Sequence, residues 1–187
     1  MTTLLELPEI RACFSPLSVA EYHQLGEFNG NGRRTELVRG IVIEKLPKSP
    51  LHCYIADQVR QILAAQITPE FIIFFQDPIT TADSEPEPDV MVAPGTPEEF
   101  RTAHPTTAEL VVEVAVTSRE VDRAKAPIYA EAGVAEYWIV CPDEKQVEVY
   151  RQPGANGYGE HTVITPPVAI ECAALPGVRV DLAAIFA

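Results

Sequence analysis

The chain has 187 residues, of which 47% are hydrophobic and 22% are charged, so it is long enough to bury a core and has an ordinary globular composition. Its formal net charge of -13 at pH 7 argues against a broad, nonspecific grip on nucleic acid, which needs clustered Lys and Arg. No apolar run is long enough to cross a bilayer, and the N-terminal stretch lacks the basic start of a signal peptide. We therefore expect a cytoplasmic protein.

Four cysteines are spread through the chain and form no C-x-x-C pair: Cys13, Cys53, Cys141 and Cys172. This spacing argues against a zinc site, and a disulfide framework is not expected in a cytosolic chain of this size. We expect all four to be small core residues.

The first predicted elements are a short helix and a β-rich segment. Ser18 is followed three residues later by Glu21, a capping-box pattern that predicts a helix beginning at Ser18. The stretch "EFNGNGRR" is predicted to be a loop, because Asn and Gly favour turns. In "TELVRGIVIEKL", Gly40 indicates either a turn between two strands or a bend in one strand.

The stretch "SPLHCYIADQVRQILAAQ" has the strongest helical pattern in the chain. Ser49 can cap this helix, and Pro50 suits its first position. Apolar residues recur in it at helical spacing and predict one buried face: Leu51, Ile55, Val59 and Ile62.

Three strands and a helix follow. "EFIIFFQ" is predicted to be a buried strand, "DVMVA" the next strand, and "ELVVEVAVTS" a central strand. "SREVDRAKAPIYAEAGV" predicts a helix with Ser118 as its N-cap and Gly133 as its C-cap. Pro127 lies inside this helix and is expected to kink or split it.

The rest of the chain predicts a hairpin and a tail. "AEYWIVCP" and "QVEVYRQ" flank "DEK" as a hairpin, and the tail predicts short strands with one closing helix. The order of elements is typical of an α/β or α+β domain with a mixed central β-sheet flanked by helices. We expect a single domain over residues 1–187, with a core at about 15–150 and C-terminal strands and a short helix at 158–187.

Glu113 stands in the middle of the apolar strand "LVVEVAV". Burying an uncompensated carboxylate costs on the order of several kcal/mol, and a metal ion or another cation is the usual compensation. Alternatively, Glu113 faces solvent or pairs with an arginine. Asp89 opens the preceding strand, and two adjacent strands that each bring a carboxylate to one end would form a hard-oxygen site of the kind that Mg²⁺ or Mn²⁺ prefers.

Further chemistry-bearing residues lie near these two acids in the predicted order. Asp122, Lys125 and Tyr129 share one face of the helix that follows the Glu113 strand, so Lys125 could reach back to the carboxylates. Glu36 lies at the start of "ELVRGIVIE", another apolar strand. The remaining acids of "EPEPD", at positions 85 and 87, are expected to be solvated.

The ordered segments "ELVRGIVIE", "SPLHCYIADQV", "EPDVMV", "LVVEVAVTS" and "DRAKAPIYAEAGVAEYWIV" resemble the Uma-two family of bacterial proteins in the PD-(D/E)XK nuclease superfamily. The resemblance covers roughly residues 15–150. It implies a restriction-endonuclease-like core, a divalent metal ion, and DNA as substrate. A homodimer is also plausible by this resemblance, because such nucleases often pair to cut two strands.

The resemblance also implies roles for individual residues. Asp89 matches the aspartate of the "PD" element and Glu113 the acid of "(D/E)XK"; both would hold the ion, with the main-chain carbonyl of Val114. Glu36 matches the upstream acid of such nucleases. The superfamily pattern asks for lysine two positions after Glu113, where this chain has Ala115, and Lys125 on the following helix stands in its place.

Four other residues near the predicted site have alternative interpretations. His52, in the first turn of its helix, is either a substrate contact or a partly exposed residue with no chemistry. Ser118 is best explained as a helix cap, with a supporting role beside the site left open. Tyr129 and Trp138 are expected to pack in the core.

The sequence is consistent with three functions. The first is a Mg²⁺-dependent endonuclease that hydrolyses DNA phosphodiester bonds, in which Lys125 orients the nucleophile or stabilises developing charge. The second is a catalytically silent interaction protein that keeps the nuclease-like fold, and the third is a hydrolase of a small phosphate ester. A nuclease further predicts a basic patch near the carboxylates, drawn from Arg33, Arg34, Arg39, Lys45, Lys48, Arg119, Arg123 and Lys125.

Overall fold

The computed structural model of the chain describes residues 7–25 and 34–186. Most of the loop predicted at "EFNGNGRR", including Arg33, lies outside the described residues. The helices are α1 (Pro8–Ala12), α2 (Val19–Gln24), α3 (Pro50–Ala64), α4 (Arg119–Glu131) and α5 (Leu182–Ile185). The strands are β1 (Thr35–Val38), β2 (Ile41–Glu44), β3 (Phe71–Phe75), β4 (Val90–Pro94), β5 (Leu110–Val114), β6 (Glu136–Cys141), β7 (Gln146–Gly154), β8 (Gly157–Ile164), β9 (Ala169–Glu171) and β10 (Arg179–Asp181).

A six-stranded mixed sheet forms the centre of the fold, in the order β3-β4-β5-β6-β7-β8. Its strands pair antiparallel except β5 and β6, which are parallel and are joined through α4. A parallel pair needs such a crossover, because its second strand must start at the same edge as the first. The predicted mixed sheet flanked by helices is confirmed.

The two longest helices cover opposite faces of this sheet. α3 contacts β3, β4 and β5, and α4 contacts β6, β7 and β8. Side chains alternate along each strand, so Val112 of β5 joins the core under α3 while Val111 joins the core on the other face. Glu113 follows the phase of Val111 and therefore points to the face that α4 covers.

The predicted α3 is present, with Ser49 as a true cap. The Ser49 side chain accepts a hydrogen bond from the backbone N–H of His52, and Pro50 is in the first turn. The buried stripe begins one turn later than predicted, because Leu51 is 42% exposed while Ile55 is buried. The strand β3 is half-buried rather than buried, since it is the outer strand of the sheet.

α4 is one continuous helix despite Pro127, so the predicted split does not occur. Its C-cap is Ala132, and Gly133 follows with φ of 76°, a left-handed conformation that glycine adopts without strain. At the other end, the Ser118 side chain makes no capping hydrogen bond. Ser118 therefore occupies the predicted N-cap position, but its side chain does not cap the helix.

A separate two-stranded hairpin, β1–β2, lies against the segment that precedes β4. Arg39 and Gly40 form its turn, both with positive φ, so the alternative of one bent strand is wrong. Backbone hydrogen bonds in both directions join Leu37 of β1 to Glu85. This bridge brings the hairpin next to the entry of Asp89 into β4.

The cysteine prediction holds for two residues of four. Cys141 and Cys172 are buried, but Cys13 and Cys53 are exposed. Cys53 lies on the side of α3 away from the buried residues Ile55 and Val59, which explains its exposure. Among the described residues, no helix is long and apolar enough to span a membrane.

Candidate active site

Asp89 and Glu113 lie next to each other on adjacent strands. The antiparallel register of β4 and β5 pairs Val90 with Val112, so Asp89 and Glu113 follow one step further along the ladder. Both carboxylates are buried, at 3% and 5% exposure. The backbone N–H of Val114 donates to Oδ2 of Asp89 at 2.9 Å, which fixes one carboxylate against the strand of the other.

Lys125 of α4 reaches the carboxylates, as its helical face predicted. Its Nζ lies 2.9 Å from Oε1 of Glu36, 3.1 Å from Oε1 of Glu113 and 3.8 Å from Oδ1 of Asp122. Lys125 is itself buried, so a single ammonium joins acids from β1, β5 and α4 away from water. Such a buried cation compensates the charge that would otherwise make Glu113 costly to bury.

Tyr129 has a polar contact that the sequence analysis missed. It packs in the core, as predicted, but its hydroxyl also donates to Oε1 of Glu113 at 3.1 Å. The signal was present in the sequence, since Tyr129 lies one turn after Lys125 on the same helical face. Trp138 is buried on the opposite face of the sheet, in the core under α3, as a packing residue.

Asp89 is held by Lys48 of the β2–α3 connection and by His52 of α3. Oδ1 of Asp89 lies 3.0 Å from Nζ of Lys48, and Oδ2 lies 2.9 Å from Nε2 of His52. Burial raises the pKa of Asp89, but His52, Lys48 and the Val114 N–H outweigh it and bring the pKa down to about 2. Nδ1 of His52 is buried and has no hydrogen-bond partner among the described residues.

The net pKa shift of Glu113 is opposite to that of Asp89. Desolvation raises its pKa to about 8, and the neighbouring Asp122 and Asp89 add to the shift, while the charge of Lys125 reduces it. Burial lowers the pKa of Lys125, but the charges of Glu113, Glu36 and Asp122 outweigh burial and hold it above its ordinary value. Lys125 therefore stays cationic. Neighbouring carboxylates whose pKa values are shifted in opposite directions, such as Asp89 and Glu113, are typical of catalytic sites.

Glu36 is positioned by the segment that leads into β4. The backbone N–H of Glu87 donates to Oε2 of Glu36 at 3.2 Å, and Nζ of Lys45 lies 3.8 Å from the same oxygen. Lys45 also donates to the main-chain carbonyl of Glu87 at 2.6 Å. The β1–β2 hairpin thus brings the upstream acid to Lys125.

Two side chains near the site make contacts that the sequence did not predict. Ser118 donates from Oγ to Oδ2 of Asp122 at 2.6 Å, so its side chain contacts the acid beside Lys125 and not the backbone of α4. Glu85 is buried rather than solvated, because its carboxylate bonds His23 and the hydroxyl of Thr80. Glu87 is only half-buried.

A cavity of about 520 Å³ opens beside these groups; we call it the carboxylate cavity, after the five acids that line it: Glu36, Glu44, Asp89, Glu113 and Asp122. Three members of the predicted basic patch line it: Lys45, Lys48 and Lys125. The four described arginines of the patch do not line it and form ion pairs instead: Arg34 with Glu87, Arg39 with Asp83 and Glu131, Arg119 with Glu144, and Arg123 with Glu120 and Glu148. The basic patch is thus limited to the lysines inside the cavity.

The donor set fits a hard divalent cation. Within residues 7–25 and 34–186, no group of three or more His, Cys, Asp or Glu side chains is arranged to hold a metal ion. Mg²⁺ is usually bound through one or two carboxylates together with waters and substrate phosphates, and Asp89 and Glu113 are two carboxylates on adjacent strands. Carboxylate oxygens are the hard donors that such an ion prefers, and Asp89 and Glu113 both line the cavity.

Comparison with known proteins agrees with this architecture. The family model described as "Uma2: Putative restriction endonuclease" matches residues 19–183. A crystal structure described as a "putative nuclease belonging to DUF820" from Anabaena variabilis ATCC 29413 superposes with a TM-score of 0.76 at 18% identity, covering 91% of this chain and 98% of that chain. At this identity, the likeness shows the fold alone. No curated protein matches the chain. The family match extends over most of the sequence and confirms the predicted resemblance, and the chain therefore belongs to the Uma2 family.

Proposed function

We propose that the chain is a divalent-metal-dependent endonuclease that hydrolyses phosphodiester bonds in DNA. The observation that carries the proposal is the juxtaposition of Asp89 and Glu113 on neighbouring strands, with Lys125 joined to Glu113 beside the carboxylate cavity. The pKa of Asp89 is lowered, the pKa of Glu113 is raised, and Lys125 stays cationic. Groups with such different pKa values can take different roles in phosphodiester hydrolysis.

Asp89 and Glu113 would hold the ion, with the main-chain carbonyl of Val114 as the predicted third ligand. A bound divalent ion supplies Lewis-acid polarisation of the phosphate and strengthens water as a nucleophile. Their own contacts prepare the two acids for this role. The Val114 N–H and His52 orient Asp89, and Tyr129 and Lys125 orient Glu113.

Lys125 supplies positive charge at the reacting centre. Its ammonium has three N–H groups, and two of them serve Glu36 and Glu113 at hydrogen-bond distance. The third can point to the attacking water or to a phosphate oxygen. Glu36 and Asp122 keep the ammonium charged and in place, so the charge that develops in the transition state meets a cation already fixed near it.

A second candidate is a catalytically silent interaction protein with the same fold. The ion pairs of the outer arginines and the net charge of -13 favour it, because they leave little basic surface for a long DNA contact. The complete set of Glu36, Asp89, Glu113 and Lys125 favours the nuclease, since a silent site has no reason to keep every one of these groups together.

The test is cleavage of DNA, circular and linear, single- and double-stranded, with Mg²⁺ or Mn²⁺, by the full chain and by Asp89→Asn and Glu113→Gln. We expect each substitution to reduce cleavage on the order of 10²-fold or more, because each removes a carboxylate that would hold the ion at the reacting phosphate. Calorimetric titration with Mn²⁺ should show binding by the parent protein and loss of binding in both variants.

Glu171→Gln is the matched control, because it makes the same chemical change at an exposed position on β9, away from the cavity. It should cleave and bind Mn²⁺ as the parent does. A parent protein that binds no divalent ion, with or without DNA, and cleaves no DNA would contradict the proposal and favour the silent interaction protein.

A further inference from the structure

The carboxylate cavity carries apolar side chains as well as charges. Leu46 and Val121 line it, and both are unusually exposed for large hydrophobic residues, at 67% and 47%. Three more apolar residues share the lining: Ile43, Pro47 and Val116. A site that only held an ion and a phosphate would need no apolar wall. The combination calls for a ligand with one charged part and one flat or apolar part.

The cavity is also limited in size. Its volume of about 520 Å³ lies within the range of roughly 300–1,000 Å³ that is typical of small-ligand sites. This volume suits one nucleotide, with its base, sugar and phosphate, rather than a base pair together with both backbones. A nucleotide whose base enters the cavity is therefore unpaired, as in single strands or at bases taken out of the stack.

The distribution of charge agrees with a short contact. Lys45 and Lys48 line the cavity from outside α4, where they also pair with Glu87 and Asp89. The arginines considered above pair with acids away from the cavity. A duplex held along its length needs many such contacts, whereas one unpaired nucleotide brings only one or two phosphates. The net negative charge of the chain therefore disfavours a long duplex contact more than a contact with one unpaired nucleotide.

We propose that the carboxylate cavity binds one unpaired nucleotide of a DNA strand, with its base against Leu46 and Val121 and its phosphates toward Lys45 and Lys48. This inference rests on the proposed function, because it names the form of DNA on which the same site acts. The substrate class is therefore single-stranded DNA or an unpaired segment within a duplex.

The test measures binding of a 12-nucleotide phosphorothioate strand, which resists hydrolysis, and of the duplex of the same sequence, both in Mg²⁺ by fluorescence anisotropy. We expect the single strand to bind at least about tenfold more tightly than the duplex. The slope of log K against log salt should be shallow, at about -1.4 for two neutralised phosphates of a single strand. Equal or tighter binding of the duplex, or a slope steeper than about -4, would overturn the inference.

Two substitutions in the apolar wall test the place of the base. Leu46→Ser and Val121→Ser should each weaken binding of the single strand about tenfold, because a base loses part of its apolar contact. Neither should change Mn²⁺ affinity. Val163→Ser is the matched control, since Val163 is 51% exposed on β8 and does not line the cavity. Wall variants that bind the strand as tightly as the control would overturn the inference.

The outcomes separate this inference from the proposed function. If the protein cleaves DNA but binds the duplex more tightly, the nuclease proposal stands and the inference of an unpaired nucleotide is overturned. If the protein binds single strands through Leu46 but cleaves no DNA, the inference stands and the nuclease proposal is overturned. Absence of binding to either form would overturn the inference, and the cleavage assay alone would then decide the function.

Discussion

Two buried glutamates stand on neighbouring parallel strands and face opposite sides of the sheet. Glu136 opens β6 on the side of α3 and is fully buried. Its Oε1 accepts from Nε1 of Trp138 at 2.7 Å and from Arg151 at 2.9 Å, and its Oε2 accepts from the backbone N–H groups of Ala173 and Ala174. Rigid donors thus surround both oxygens and hold the tail against the sheet.

Among the described residues, Glu113 on β5 has fewer hydrogen-bond donors than Glu136. Two side chains of α4, Lys125 and Tyr129, donate to Glu113, and both contact Oε1. Two other carboxylates, Asp89 and Asp122, raise its pKa further. The two glutamates thus differ in two ways: Glu136 has fixed donors on both oxygens, whereas Glu113 lies beside the cavity with a raised pKa and with its donors on one oxygen.

The largest expected effect is on the saturated glutamate. Glu136→Ala leaves Arg151, the indole of Trp138 and two backbone N–H groups without their acceptor, so we expect it to destabilise the fold by about 3–5 kcal/mol. Urea unfolding followed by circular dichroism measures the loss. Glu113→Gln should cost no more than about 1 kcal/mol, because it removes one of several crowded acids and leaves Glu36 to pair with Lys125.

Activity should follow the opposite order. At a temperature where Glu136→Ala remains folded, it should keep most of the DNA cleavage that the parent shows, while Glu113→Gln should not. A Glu113→Gln variant that unfolds as readily as Glu136→Ala would remove the distinction between the two glutamates.

The amino-acid sequence contains part of this distinction. Glu113 could be recognised because it interrupts the apolar strand "LVVEVAV", and the helical face of Lys125 and Tyr129 follows from spacing alone. The hairpin of β6 and β7 would also have placed Arg151 opposite Glu136. The long-range partners could not be predicted, because no local pattern relates the backbone of Ala173 to β6.

The same limit applies to the candidate site. Asp89 could be predicted as the start of a strand, but its contacts with Lys48 and His52 depend on where the β2–α3 connection and the first turn of α3 pack. Burial of Glu85 depends likewise on His23, which is 62 positions away in the chain. Periodicity predicts the face of an element, whereas the identity of its neighbour depends on tertiary packing.

The second effect is a pH dependence specific to Glu113. Burial raises its pKa from the usual 4.5 to about 8, so between these values the folded protein holds a proton that the unfolded chain releases. Its contribution to stability is therefore full below pH 4.5 and is lost as pH rises toward 8, with a slope of at most about 1.4 kcal/mol per pH unit. Parent and Glu113→Gln should diverge accordingly when unfolded in urea between pH 5 and pH 7.5.

Mg²⁺ provides the control for this measurement. An ion held by Glu113 favours the ionised carboxylate, so the slope of the parent should flatten when Mg²⁺ is added and the slope of Glu113→Gln should not change. If the free energies of unfolding of the parent and of Glu113→Gln change with pH in parallel without metal, Glu113 does not have a raised pKa. The contrast with Glu136 would then be wrong.

The smallest expected effect concerns the hydroxyl that orients Glu113. Tyr129→Phe removes one hydrogen bond to a carboxylate and should destabilise the fold by about 1–2 kcal/mol, because Lys125 still contacts the same oxygen. If Tyr129 has a purely structural role, the loss of stability should be the only effect. If Tyr129 positions a metal ligand, Mn²⁺ affinity should also fall, by about tenfold or more.

Tyr137→Phe is the matched control for Tyr129→Phe. Its ring lies 4.8 Å from that of Tyr129, it is equally buried, and its hydroxyl donates to the main-chain carbonyl of Asp122 at 2.9 Å rather than to Glu113. Both variants should lose similar stability, but only Tyr129→Phe should lose Mn²⁺ affinity in calorimetric titration. Equal loss of affinity in the two variants would mean that the aromatic cluster supports the site only by packing, because removing either hydroxyl would then have the same consequence.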